Sequence, residues 1–172
     1  MVSSLNSNPM NKIKWILVAL NILIILCLVN YNIYQKEKQL KEGKLILLKL
    51  VPVDPRSLMQ GDYMQLSYEI AENSYEENMP KRGYCVVRCD SANIATFARL
   101  QSNLEPQNPG DYCIPYTKQS DNSISIGASS YFFEEGSADK FENATYGALK
   151  VDQKGHSLLI GLCNPTGHLI EP

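Results

Sequence analysis

From Ile13 to Tyr34 the chain carries one charge, Lys14, and its apolar centre, Trp15–Val29, is broken only by Asn21. A helix over that run is about 33 Å long at ~1.5 Å per residue, enough to cross a hydrocarbon core. Trp15 lies near one end and Tyr31 and Tyr34 near the other, where interfacial aromatics belong. A nearly all-apolar helix surface would need burial on every side in a small soluble domain, so a membrane span is the better reading. The exit, "CLVNYNIYQ", offers no small-x-small cleavage site, and Leu26 stands where a lipoprotein would need a small residue before Cys27. The pattern therefore predicts an uncleaved signal-anchor over 13–34, a tail over 1–12 and a polar stalk, "QKEKQLKEGK", over 35–44. The stalk reads as a helical extension stopping near Gly43. Asn21 reads as a tolerated amide satisfied locally, with a bond to a partner helix as the alternative.

Beyond Lys44 the pattern changes to short strands. "KLILLKLVPV" (44–53) is a continuous apolar run closed by Pro52, as in a strand buried on both faces. "DYMQLSYEI" (62–70) alternates, placing Met64, Leu66, Tyr68 and Ile70 on one face and Tyr63, Gln65, Ser67 and Glu69 on the other. "AENSYEENM" suits a short helix. "GYCVVRC" and "NIATFARL" read as a hairpin around "DSAN", and "DYCIPYTK" and "SISIGASS" as a second around "QSDN". Residues 134–144 suit a short helix with Ser137 as its cap. "YGALKVD" and "HSLLIGL" make a last hairpin around Gln153-Lys154-Gly155, followed by an "NPTG" turn. The expected fold is mainly β: the N-terminal transmembrane helix plus a small antiparallel β-sandwich or partly open barrel over 45–172, with one or two short helices.

Composition narrows the function classes. A formal net charge of −2 provides no basic field for nucleic acid. Four lysines, Lys36, Lys38, Lys41 and Lys44, follow the span and two, Lys12 and Lys14, stand at its start, which by count alone favours a cytoplasmic C-terminal side. That tally is weak for a long domain, which crosses largely regardless of flanking charge. Ten tyrosines against four phenylalanines suit half-buried strands and binding faces alike.

Gly61, Asp62, Tyr63, Leu66 and Tyr68 occupy every fixed position of the pattern Gly-Asp-Tyr-x-x-Leu-x-Tyr. The chain thereby resembles the GDYXXLXY proteins of bacteria. The likeness extends to the block "LLKLVPVDPRSLMQGDYMQLSYEI", with Asp54-Pro55-Arg56, and to "SYFFEEGSADKFENATYGALKVDQKGHSLLIGL". It covers roughly residues 44–163. The resemblance implies a single N-terminal anchor in the bacterial inner membrane, a domain on its outer, periplasmic side, and a place beside multi-span membrane proteins. No activity or cofactor is established for the family, so it implies none.

The residues themselves explain much of the motif structurally. Gly61 frees the backbone for a tight strand entry. Leu66 and Tyr68 belong to the core face, with the Tyr68 hydroxyl reaching a partner. Tyr63 is outward. Asp62 accepts turn N–H groups, and Arg56 pairs with Asp62 or Asp54. A contact surface is expected at Tyr63 and the Asp54–Asp62 loop.

Candidate chemistry is sparse. Ser57 lacks a strained Gly-x-Ser-x-Gly elbow and a distinctive lysine, so it reads as a loop serine. His156 and His168 fall at turns, with no evident triad partners. Glu134 and Glu135 are adjacent and would point apart on a strand. Asn143-Ala-Thr145 matches a glycosylation sequon, read as coincidence. Cys85 and Cys89 would lie about 13 Å apart along one strand, beyond disulfide reach and unsuited to sharing one zinc. Cys85, Cys89, Cys113 and Cys163 are therefore expected as free buried thiols, with a bridge from either of the first two to Cys113 or Cys163 as the alternative. No cofactor or metal site is expected. The reading is of a non-enzymatic accessory or interaction subunit, partnered by the lipid bilayer and a multi-span membrane protein. The alternatives are a small-ligand-binding module and an envelope hydrolase using Ser57 or an Asp/His pair.

Overall fold

A computed structural model describes residues 9–51, 63–74, 79–105, 108–119 and 123–171. The chain divides into two compact units, Met1–Lys38 and Gln39–Pro172.

The first unit is the body of helix α1 (Pro9–Glu42). Every described side chain from Ile13 to Lys38 is exposed, including sixteen large apolar ones such as Trp15, Leu20, Ile24 and Leu28. The helix is long and apolar enough to cross a membrane. Two of its polar side chains are satisfied by their own backbone: the amide groups of Asn30 and Asn32 donate to the carbonyls of Leu26 and Leu28, each at 2.8 Å.

The second unit begins with the last turn of α1. Gln39 is buried there and donates to the Lys150 carbonyl at 3.2 Å, while Lys150 Nζ donates to the Gly43 carbonyl at 2.9 Å. The helix stops at Glu42 because the chain must turn tightly. A Cβ at Gly43 would lie 2.5 Å from the Gln39 carbonyl oxygen, so only glycine fits.

Ten strands follow among the described residues: β1 (Lys44–Val51), β2 (Tyr63–Gln65), β3 (Ser67–Tyr68), β4 (Arg82–Cys89), β5 (Ala95–Gln101), β6 (Asp111–Lys118), β7 (Ile124–Ile126), β8 (Ser130–Phe132), β9 (Tyr146–Val151) and β10 (Ser157–Cys163). Short helices α2 (Glu69–Asn73) and α3 (Ala138–Phe141) complete the unit. The strands form two four-stranded sheets, β10-β9-β1-β3 and β5-β4-β6-β7, and a β2-β8 ribbon, all antiparallel. No sheet closes into a barrel, and the mainly β, antiparallel fold with an N-terminal apolar helix is as expected.

One core joins the two sheets. Ile46, Leu48 and Leu149 from the first meet Cys85, Val87 and Ile114 from the second, all but fully buried. The continuous apolar run of β1 is explained by its position. Ile46 and Leu48 face this core, while Leu47 packs on the other side with Ala148 and Cys163. β3 covers β1 only at Leu50 and Val51; further along, the turn after β4 takes over, with the Leu47 N–H donating to the Asn93 carbonyl at 2.8 Å.

The sheet edges are blunted. The outer strands β10 and β5 each carry a bulge, at Ile160 and Ala98, where the register skips a residue. The opposite edges are the two- and three-residue strands β3 and β7. Bulges and brevity both discourage pairing with another chain.

Two sequence expectations need correction. Residues 62–70 do not make one strand. Tyr63–Gln65 pairs with β8, Ser67–Tyr68 pairs with β1, and Glu69 begins α2. The break falls at Leu66, whose N–H donates to the Ser129 carbonyl as the chain crosses between sheets. Alternation still predicts burial at Leu66, Tyr68 and Ile70, because the first turn of α2 keeps Ile70 on the core side. Met64 is half-buried against the core. Ser137 stands at the N-cap of α3, but its side chain makes no capping bond; only its carbonyl accepts, from Lys140 N–H at 3.1 Å.

Candidate functional site

The residues singled out by the motif separate into two groups. Asp54, Arg56, Gly61 and Asp62, with Ser57, lie outside the described residues. Tyr63, Leu66 and Tyr68 are described, and they do different jobs. Leu66 is core. Tyr68 is core with a polar tip: its hydroxyl donates to the Ala128 carbonyl at 3.0 Å. Burial pushes that hydroxyl's pKa well up, so it stays protonated as a donor. The ring lies in a slot made by two glycines. A Cβ at Gly147 would come within 3.0 Å of it and one at Gly127 within 3.5 Å of its hydroxyl, and Gly127 also needs its φ of +62°.

Tyr63 points elsewhere. On the β2-β8 ribbon it is directly opposite Phe132, ring centroids 5.6 Å apart and tilted by 36°. Phe132 is 69% exposed, the most exposed large apolar side chain among the described residues of the second unit. Its neighbours in sequence turn inward: Tyr131 and Phe133 pack on the fully buried Phe141 at 5.4 and 5.0 Å. The ribbon is thus clamped from below and shows an aromatic pair above.

Beside the ribbon lies a groove of about 650 Å³, lined by residues 49–51 at the end of β1, 64–67 of the motif and 142–145 between α3 and β9. Its apolar surface comes from Leu50, Val51, Met64, Leu66 and Ala144, and its polar rim from Lys49, Gln65, Ser67, Glu142, Asn143 and Thr145. The Lys49 ammonium is 2.8 Å from Glu69, whose hydrogen bond and charge raise the lysine's pKa. The sequon residues Asn143 and Thr145 thus stand on the groove's rim.

The remaining candidates have structural work. Asp152 Oδ1 accepts the N–H groups of Lys154 and His156 at 2.9 and 2.8 Å, and its Oδ2 lies 2.9 Å from His156 Nδ1. Burial pushes the Asp152 carboxyl up, but the bonds from His156 and Lys154 win and leave it lowered. Asn164 repeats the arrangement, accepting Thr166 and His168 N–H groups at 3.0 Å each. Asp90 does so again, with Ala92 and Ile94 at 2.8 and 2.9 Å. In all three turns the fourth residue has positive φ: Gly155 at 77°, Gly167 at 81°, Asn93 at 62°. Both histidines are therefore the exit residues of one turn type. The shared signal, Asp/Asn-x-x-Gly/Asn, is present in the sequence at "DSAN", "DQKG" and "NPTG".

Cys27, Cys85, Cys89, Cys113 and Cys163 are all reduced thiols, none joined in a disulfide. Burial pushes the Cys85 thiol up to about 12, with Cys113 adding to the rise, and raises Cys163 and Cys89 as well. Such thiols are poor nucleophiles near neutral pH. Cys89 is only half-buried, a departure from its expected burial, because it ends β4.

A buried charge cluster was not legible. Asp111 has a fully buried side chain that receives Arg88 Nε at 2.9 Å and Arg99 Nη1 at 2.7 Å. Burial raises its pKa, but Arg88, Arg99 and the Asn108 N–H outweigh this and hold the carboxyl at about 2. Register brings Arg88 opposite Asp111, and β5 brings Arg99, so spacing along the chain gives no hint of it. No group of three metal-ligating side chains exists among the described residues.

A model of the family described as "GDYXXLXY protein" matches residues 25–162. The chain belongs to the GDYXXLXY family. The match begins inside α1 and runs through β10, so family membership spans both units. No curated protein and no solved structure matches the chain. Within the GDYXXLXY signature the structure separates a buried pair, Leu66 and Tyr68, from the half-buried Tyr63, which pairs with Phe132.

Proposed function

We propose that this GDYXXLXY protein is a membrane-tethered interaction domain: an accessory subunit of a bacterial envelope assembly, anchored by α1 with the β-domain outside the cytoplasmic membrane. The observation that carries the reading is the Tyr63–Phe132 pair, an aromatic contact with an exposed Phe132 on a clamped ribbon whose next residues, Met64 and Gln65, line a groove. Exposed aromatics on rigid supports are the side chains that anchor protein interfaces. Blunted sheet edges argue against strand addition, so recognition falls to this side-chain surface. The extracytoplasmic side rests on the resemblance stated above. The partner fitting this reading is a multi-span membrane protein.

The test is a photo-crosslinking residue placed at 132 in the full chain at native expression, followed by mild detergent extraction. A specific crosslinked membrane protein is expected, and it should disappear when the crosslinker is moved to exposed Glu135. Recovery of the chain alone from both positions counts against the proposal.

The groove favours a second reading. At about 650 Å³ it falls within the usual range for small-ligand sites. A thermal-shift screen separates the two: a ligand present at 100 times its Kd stabilises by ~2.7 kcal/mol.

A further inference from the structure

Helix α1 contains three asparagines with different surroundings. Asn30 and Asn32 donate back to the carbonyls four residues earlier, near the helix's polar end. Asn21 is exposed and makes no hydrogen bond among the described residues, although it has the same backbone option. It lies six residues from Trp15 and eight from Val29, so about 9–12 Å of apolar helix separates it from either end of the run. Its one-carbon stem is too short to snorkel to the headgroups as lysine does.

A carboxamide in hydrocarbon needs a partner, and its chemistry favours a particular one. It carries both a donor and an acceptor, so two copies satisfy each other reciprocally across a two-fold axis. Copies of one single-span chain insert the same way round, which brings residue 21 of each to the same depth. The flanking residues match such a seam. Leu17, Asn21, Ile24, Leu28 and Tyr31 follow a 4-3-4-3 spacing, with Asn21 at an a position, where a lone asparagine sets register in paired helices. We infer that α1 forms a parallel homodimer through the Leu17–Tyr31 stripe, with Asn21 bonded to Asn21 of a second copy.

The experiment uses full-length chains labelled with donor or acceptor fluorophores at their N-termini, reconstituted in phosphatidylcholine vesicles over a range of protein-to-lipid ratios. Energy transfer above that of a monomeric single-span protein at equal density is expected. Asn21→Leu should weaken pairing by at least about threefold and up to about twentyfold, the range of measured interhelical bonds. Asn21→Gln, which keeps both donor and acceptor, should stay within about twofold of the unmodified chain. Asn30→Leu and Phe132→Ala should leave pairing unchanged, the latter separating this seam from the proposed partner surface. Pairing by Asn21→Leu as tight as that of the unmodified chain, or no transfer above the monomeric reference, overturns the inference.

Discussion

The β5-β4-β6-β7 sheet and the β2-β8 ribbon use the same residue classes in opposite ways. In the sheet, the buried Asp111 carboxylate is satisfied by the partly exposed guanidiniums of Arg88 and Arg99, and Cys85 and Cys113 lie under cover. In the ribbon, three residues pair with three, and the aromatic Phe132 faces solvent. A fold that hides charges in one place yet leaves a large ring exposed in another has not run short of cover. On the proposed reading, that exposed ring is where a partner would dock, although the sheet also leaves Phe97 of β5 exposed.

Between the two regions stands Tyr68, and its loss should have the largest effect. Tyr68→Ala removes a ring buried to 2% exposure between two glycines and is expected to destabilise by about 3–5 kcal/mol. Tyr68→Phe loses only the bond to the Ala128 carbonyl, about 1 kcal/mol. Urea unfolding of the membrane-reconstituted chain reads both. Near-equal losses would show that the hydroxyl, rather than the packed ring, secures the motif.

Second in size is the charge cluster. Asp111→Ala should cost about 2–3 kcal/mol, since it removes charge-assisted bonds from two guanidiniums that retain access to water. Its pH dependence has a definite sign. The folded carboxyl sits at about 2, below the unfolded value of ~3.9, so its contribution is complete above pH ~4 and is lost as pH falls through about 2. The Asp111→Asn chain should show a flatter acid limb over that window in pH-dependent unfolding. An unchanged limb would mean that the cluster does not discriminate the folded from the unfolded state.

How far the sequence could foresee these regions follows from what sets each one. The long apolar helix and most hairpins were legible because apolar period and turn chemistry are local signals. The inward set Leu66, Tyr68 and Ile70 was legible for the same reason, yet their common strand was not. Whether residues 63–70 stay in one sheet depends on Ser129 and Leu50, which are distant in sequence. The Asp111 cluster was invisible because register alone assembles it. Phe132 was unremarkable in "SYFFEE", since nothing local says which of two adjacent phenylalanines turns outward. Of the motif's expected contact residues, Tyr63 is half-buried opposite Phe132, while Asp54, Arg56, Gly61 and Asp62 lie outside the described residues.

The turns supply an intermediate effect. Asp152→Ala removes an acceptor of two backbone N–H groups and should destabilise by about 1 kcal/mol, with Asn164→Ala similar. Both losses should be visible in thermal unfolding. Because Asp152's carboxyl is held below its ordinary value, its share is present above the unfolded pKa and fades as pH falls through the lowered one. A neutral outcome for both substitutions would reduce the shared turn pattern to a coincidence of spacing.

The smallest expected stability effect tests the comparison most directly. Phe132 contributes one ring contact, to Tyr63, and keeps most of its surface in water, so Phe132→Ala should change stability by no more than about 0.5 kcal/mol. Its neighbour Phe133, stacked on buried Phe141, should cost several times as much when truncated. If Phe132 is an interface anchor, the same substitution should weaken partner recovery from detergent at least tenfold, a change of about 1.4 kcal/mol in binding. Stability and association would then respond to opposite members of an adjacent pair. A large stability loss at Phe132 would instead make the ribbon a piece of the core, and the contrast with the β4–β6 sheet would vanish.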